Sequence, residues 1–143
     1  MIDPATLLEY QLRAFLLTLP DVAALVADRI FPAPAPQNAA MPLVAFQRVS
    51  TDRVYSDDGR SGLAGPVIQI DCWSDAPEYA GSYAKSKEIA EAIRLGLESF
   101  RGMWGPIRIQ EVTITSENDL YEGQDRTRRV SVDYRIWHDE PRG

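Results

Sequence analysis

Apolar positions along the chain follow two rhythms, one near 3.6 residues and one of two, and the switches between them mark out the elements. Leu8, Leu12, Phe15, Leu16 and Leu19 recur at helical spacing. Asp3 followed by Pro4 supplies a cap and a first-turn proline, so a helix is predicted from about Pro4 to Leu19. Pro20 and Asp21 reset the chain, and DVAALVADRIF predicts a second short helix capped by Asp21, with Val22, Leu25 and Val26 inward. The run PAPAPQNAAMP, Pro32 to Pro42, forbids helix and predicts an extended connector.

The period-two rhythm begins at LVAFQRVS, Leu43 to Ser50, and returns in PVIQIDCW, Pro66 to Trp73, where Ile68, Ile70 and Cys72 share a face. Between these strands lies Thr51 to Gly65, rich in Gly, Asp and Ser, which predicts a long mobile loop over residues 51–65. A helix from about Pro77 to Phe100 follows from the spacing of Tyr79, Tyr83, Ala90, Ile93 and Leu97, and it stops near Gly102. Gly105 to Thr115 is a third strand, SENDLYEGQDRTR a loop that is first acidic and then basic, and Arg128 to His138 a fourth strand with Val130, Val132, Tyr134 and Ile136 inward. The order predicts one α+β domain over residues 1–143, a roughly four-stranded antiparallel or mixed sheet with helices packed on one face.

Composition narrows the chemistry. The apolar share of 45% and charged share of 25% are those of a globular chain. Fifteen basic against 21 acidic residues give a net charge of −6, which argues against a protein that coats nucleic acid. The first segment carries Asp3, Glu9 and Arg13 and has no cationic start, so neither a signal peptide nor a membrane span is expected there.

Catalytic equipment is sparse. His138 is the single histidine, and its place at a strand exit predicts an exposed side chain. Cys72 alternates with core positions, predicting a buried, inert thiol with no disulfide partner. GRSGLAG lacks the terminal Gly-Lys-Ser/Thr of a phosphate cradle and precedes a strand. Glu117, Asp119 and Glu122 lack the spacing of a calcium loop, so no metal and no cofactor is expected.

Aromatic and arginine residues outside the core point elsewhere. Tyr55, with Arg53 and Arg60, sits in the first polar loop and Tyr121 in the second; Arg129, Arg135 and Trp137 fall on the outward face of the last strand. Exposed aromatics and arginines of this kind are enriched in protein interfaces, and these seven residues form the candidate interface. For Trp73 and Trp137, packing beneath a second layer over the sheet is an equally open alternative.

Strings spread over most of the chain carry a resemblance. After an N-terminal helix come ALVADRIFPAPAPQNAAMPLVAFQRVS, GLAGPVIQIDCWSDAPEYA, AEAIRLGLESFRG and DLYEGQDRTRRVSVDYRIWH. In this order they resemble the tail-completion proteins, or tail terminators, of long-tailed bacteriophages and prophages. The resemblance implies a structural protein of the virion tail at the head-tail junction, assembled in the host cytoplasm. It implies a ring of copies, commonly a hexamer, that caps the tail tube, ends its polymerisation and faces a head connector or stopper protein, with DNA only passing through the lumen and no membrane partner. It brings no catalytic residues. A head-tail adaptor or stopper on the portal side is the alternative within this class. Outside it stand a hydrolase built on Glu117, Asp119 and Glu122, and a nucleic-acid module built on Arg126 to Arg129.

Overall fold

The computed structural model describes residues 3–57, 59–75, 79–121 and 127–140, with the side chains at 60, 79–82 and 121 outside that description. A 3₁₀ turn, Pro4–Thr6, precedes helix α1, Leu8–Leu17, and α2, Pro20–Val26. Asp3 does cap, its carboxylate accepting from the Ala5 amide at 3.0 Å, but it caps the short turn. Leu7 is extended (φ −85°, ψ 128°), which breaks the expected single helix from Pro4 to Leu19. The second helix also starts earlier than Asp21: Leu19 is its cap residue and Pro20 occupies the first turn, where a proline forfeits no hydrogen bond.

Helix α2 stops at Val26 because Ala27 adopts φ 54°. The next residues, expected to continue the helix, form strand β1, Ile30–Pro32, parallel to β2, Leu43–Ser56. Arg13 of α1 fixes this turn, donating from Nε to the Ile30 carbonyl at 2.6 Å and from Nη2 to the Asp28 carbonyl at 3.1 Å. The remaining elements are β3, Gly59–Asp75; α3, Tyr79–Leu97; β4, Gly102–Trp104; β5, Ile107–Tyr121; and β6, Thr127–Asp139.

One mixed sheet results, in the order β1-β2-β3-β6-β5-β4, antiparallel throughout except for β1 against β2. The four expected strands are present, and the count rises to six because two three-residue strands, β1 and β4, are added at the edges. Residues 51–56 and 59–65, expected within a long mobile loop, instead extend β2 and β3 into a long hairpin that turns about Asp57 and Gly59 (φ 105°). SENDLY likewise belongs to β5, which pairs with β6 as far as Tyr121–Arg128. In both ribbons the sequence lacks apolar alternation because much of the ribbon faces solvent on both sides. The ladder, not burial, makes them strands.

The core lies between the sheet and α1, α2 and α3. Leu8, Leu12, Leu16, Val22, Val26, Ile89, Ile93 and Leu97 meet Val44, Phe46, Ile68, Ile70, Cys72, Val112, Val130, Val132, Tyr134 and Ile136. Helix α3 crosses β3 and β6 and is tied down by the Ser86 hydroxyl, which donates to the Arg128 carbonyl at 3.0 Å. An aromatic cluster seals the β4 end: Phe15 and Phe100 approach Trp104 with centroids at 5.0 and 5.5 Å. No described helix covers the opposite sheet face. Part of the proline-rich segment, between the cis Ala33–Pro34 and Met41–Pro42 bonds, lies across its β2 end beside Leu43, Ala45 and Trp73.

Leu12 is fully enclosed under the sheet. Leu12→Ala is expected to lower unfolding stability by about 2–5 kcal/mol, through lost burial and the cavity left behind. Urea denaturation followed by circular dichroism measures it.

Candidate interaction surface

Alternation along β6 sends Val130, Val132, Tyr134 and Ile136 to the helices and Arg129, Ser131, Asp133, Arg135 and Trp137 to the other face. Neighbouring strands add Gln69, Asp71 and Trp73 from β3, Asp52 from β2, and Glu111, Thr113 and Ser116 from β5. The result is a polar layer ordered by its own contacts. The Arg129 guanidinium lies 4.8 Å from the Trp73 ring centroid and 3.5 Å from the Asp71 carboxylate. Asp71, only 7% exposed, also accepts from Gln69 Nε2 at 3.1 Å. Arg135 donates to Asp52 at 2.6 Å and to the Gly65 carbonyl at 3.0 Å, with its guanidinium 5.5 Å from the Trp137 ring centroid. Ser116 closes the layer with a 2.9 Å bond to Asp133.

Two arginine–tryptophan stacks therefore sit on one face. Trp137 lies flat over Gly65, so tightly that a β-carbon added there would stand 2.5 Å from the ring. Only glycine permits that approach. Beside Trp137 an open cleft runs between Val54 and Leu63 of the first hairpin and Arg101, Arg108 and Glu111.

Of the seven candidate interface residues, Arg129, Arg135 and Trp137 share this face, each half-buried. Arg53 and Tyr55 belong to the β2–β3 hairpin. Tyr55 is 68% exposed, and Arg53 makes a two-pronged pair with Glu140, at 2.9 and 3.2 Å, that holds this carboxyl below its usual range. The side chains of Arg60 and Tyr121 lie outside the described residues. Sequence reasoning missed Asp52 and Asp71, the carboxylates that order the arginines, and Asp133, which holds Ser116. Their signal was present in the strand register, each lying on or opposite an outward position.

His138 corrects an expectation. It is 5% exposed, on the helix side of the last strand, with Nδ1 3.0 Å from the Asp139 carbonyl. Strand β6 runs one residue past it, and Thr6, Leu7 and Leu8 at the start of α1 line a cleft with it, so this position is interior. Burial lowers its pKa from the usual 6.5, against the pull of Glu140 and Glu9 and with that of Arg48. Cys72 is buried as expected, and burial pushes its thiol far up. Asp119 is held by Lys87 at 2.8 Å and by the Tyr83 hydroxyl at 2.9 Å, which keeps its carboxyl low, while Glu122 lies outside the described residues. Among the described residues no three His, Cys, Asp or Glu side chains group as metal ligands. Arg128 is buried beneath α3, and Arg126 lies outside the described residues. No described helix is long and apolar enough to cross a membrane.

The fold is thus of the α+β class, a curled sheet backed by helices on one side and polar on the other. Residues 10–139 match the family described as Tail completion protein gp17, and the chain belongs to that family: it is a structural protein of a phage-type virion tail. The fold is similar to that of a chain in the virion of a native gene transfer agent particle, with a TM-score of 0.75 and 19% identity over 97% of this chain and 99% of that one. No curated protein sequence matches.

The depressed pKa of His138 has a definite sign. The folded state binds this proton less readily than the unfolded chain, so the stability from the neutral imidazole is complete above about pH 6.5 and declines as pH falls toward the lower folded value. Thermal melts from pH 7.5 to 4.5 are expected to show a steeper loss in the native protein than in His138→Gln, which cannot titrate.

Proposed function

We propose that copies of this chain close into a ring on the end of the tail tube, stop its growth and offer the surface on which the head is joined. The observation that carries this reading is membership of the tail completion family over residues 10–139. The likeness to a chain solved within a virion particle supports assembly with other virion proteins. A ring subunit needs two different side surfaces that complement each other, so that rotation closes the set. It has no need of a reaction centre, and the role is structural, not enzymatic.

In this reading the polar face with Arg129, Arg135 and Trp137, and the hairpin with Arg53, Tyr55 and Arg60, are contact surfaces, joined by Tyr121 at the other ribbon tip. The partners are further copies, a hexamer being the ring favoured by the resemblance, then the tail tube protein on one side and the head connector or stopper on the other. A net charge of −6 suits a wall along which DNA passes without being retained. Light scattering after size exclusion, alone and with tail-tube protein, is expected to show a closed oligomer that joins tube ends. A chain that stays monomeric in both conditions and leaves tubes uncapped overturns the proposal. Capture by a portal-side complex in place of tube ends favours the adaptor.

The β2–β3 hairpin projects beyond the helix layer, with Asp52, Arg53, Val54, Tyr55, Ser56 and Asp57 all exposed. Local opening is governed by how little buried surface supports a segment. Amide hydrogen exchange in the free subunit is expected to be faster over residues 51–57 than over Ile68–Cys72, and to slow there once the protein caps a tube.

A further inference from the structure

Among the described residues the sheet is open along part of both outer long strands, β2 on one side and β5 on the other. On β2, the short β1 covers only Val44 to Phe46, where Ala33 N–H donates to the Phe46 carbonyl at 2.8 Å. From Gln47 to Ser56 no described strand lies outside it. On β5, β4 covers Ile107 to Ile109, and the Val112 carbonyl accepts from Ser99 N–H at 2.9 Å. From Thr113 to Tyr121 that edge too is without a described partner strand. Each free run is on the order of 30 Å long. The β5 run contains no lysine, arginine or proline, the residues that guard an edge against pairing.

From these edges we infer that neighbouring copies join edge to edge, the free run of β2 in one copy pairing antiparallel with the free run of β5 in the next, into one continuous sheet. The inference rests on the ring reading and names its joint. Direction agrees. Strands β2, β3, β6 and β5 alternate without exception, so a rotation that keeps every copy's strands at one tilt to the ring axis sets β2 against a neighbour's β5 in antiparallel sense. The charged side chains of these runs are largely paired within the copy, Arg48 with Glu9, Arg53 with Glu140, Asp52 with Arg135 and Asp119 with Lys87, so the backbone edges and not charge carry the joint.

Stagger gives an independent check. Arg48, Ile68, Tyr134 and Ile114 stand side by side across the four long strands. From that level the free run of β2 extends toward its hairpin tip, and the free run of β5 extends the opposite way. Counted along the ladder, with the bulged Val49 and Thr115 skipped, bringing their centres together shifts one copy against the next by about 4.5 positions, or roughly 15 Å at ~3.3 Å per residue. Strands tilted by about 35–45° in a closed sheet, spaced ~4.8 Å apart, accumulate roughly 13–19 Å over four strands. The diagonal placement of the free edges is of the size that a ring of tilted strands needs. The joint is heterologous, one edge type against the other, so it propagates around a ring and does not stop at a dimer.

Paired cysteines test the joint. Ser50 and Asn118 are exposed and lie on the same sheet face, and the native Cys72 is buried and stays in place. Ser50→Cys is combined in turn with Ser116→Cys, Asn118→Cys and Leu120→Cys, to span neighbouring registers. Each double variant is oxidised after assembly, alone or on tail tubes, while light scattering under reducing conditions records whether rings form. One double variant is expected to give a covalent ladder up to ring size on a non-reducing gel, and the single variants none. Rings without a ladder in any register overturn the edge joint and leave the ring standing. Failure of the unmodified chain to form rings, with or without tubes, overturns the ring and the joint together.

Discussion

The antiparallel pairing of β3 with β6 is the constraint on which the other parts depend, because it runs in unbroken register from Leu63–Asp139 to Asp75–Thr127 through the middle of the sheet. Helix α3 needs that flat, regular pair to lie across, and its buried residues, Ile89, Ile93 and Leu97, meet the inward positions of both strands. A slip of one residue would exchange Val130, Val132, Tyr134 and Ile136 for Arg129, Ser131, Asp133 and Arg135 beneath the helix. Four apolar side chains would enter water and two arginines would enter the core. The register is therefore fixed by a difference far larger than any single hydrogen bond of the polar face.

That polar face contributes through geometry more than through energy. Exposed ion pairs such as Arg135 with Asp52 add about 0–1 kcal/mol, and the Arg53–Glu140 pair is of the same kind. What they fix is position. Arg129 and Arg135 are drawn down over Trp73 and Trp137 by carboxylates on β3 and β2, so each arginine–tryptophan pair presents a pre-ordered surface. An ordered side chain loses less entropy when a partner covers it. A polar layer of weak internal strength can for that reason be a good contact surface.

How much was legible in the sequence follows from where each signal comes from. Val130, Val132, Tyr134 and Ile136 alternate because one face is buried, and that periodicity placed the last strand correctly. Ile68, Ile70 and Cys72 did the same for β3. Residues 51–65 and 116–121 carry no such pattern, since both faces of those ribbons meet solvent or polar neighbours, and composition alone made them look like loops. The edge strands β1 and β4 are too short for any periodicity. His138 was misplaced because burial at a strand end is decided by α1, a distant segment that alternation cannot see. Arg129, Arg135 and Trp137 were legible as outward-facing, whereas their partners Asp52 and Asp71 required the cross-strand register.

The bulges show why the sheet curls and why its edges lie where they do. The central β3–β6 pair has no register shift, while β2 carries an extra residue at Val49, β3 has extra residues against β2 between Arg60 and Ala64, and β5 carries extra residues at Gln110 and Thr115. An extra residue on an outer strand bends it relative to its inner neighbour and deepens the local twist. The register shifts thus fall in the pairings of the two flanks, and among the described residues each flank includes a run of strand without an outer partner strand. In a solitary monomer such curling would be one way of turning an edge away from stray pairing. Here β2 and β5 are both bulged and neither carries a proline in its free run. The regular centre holds the helices, and the bent flanks give the sheet its curvature.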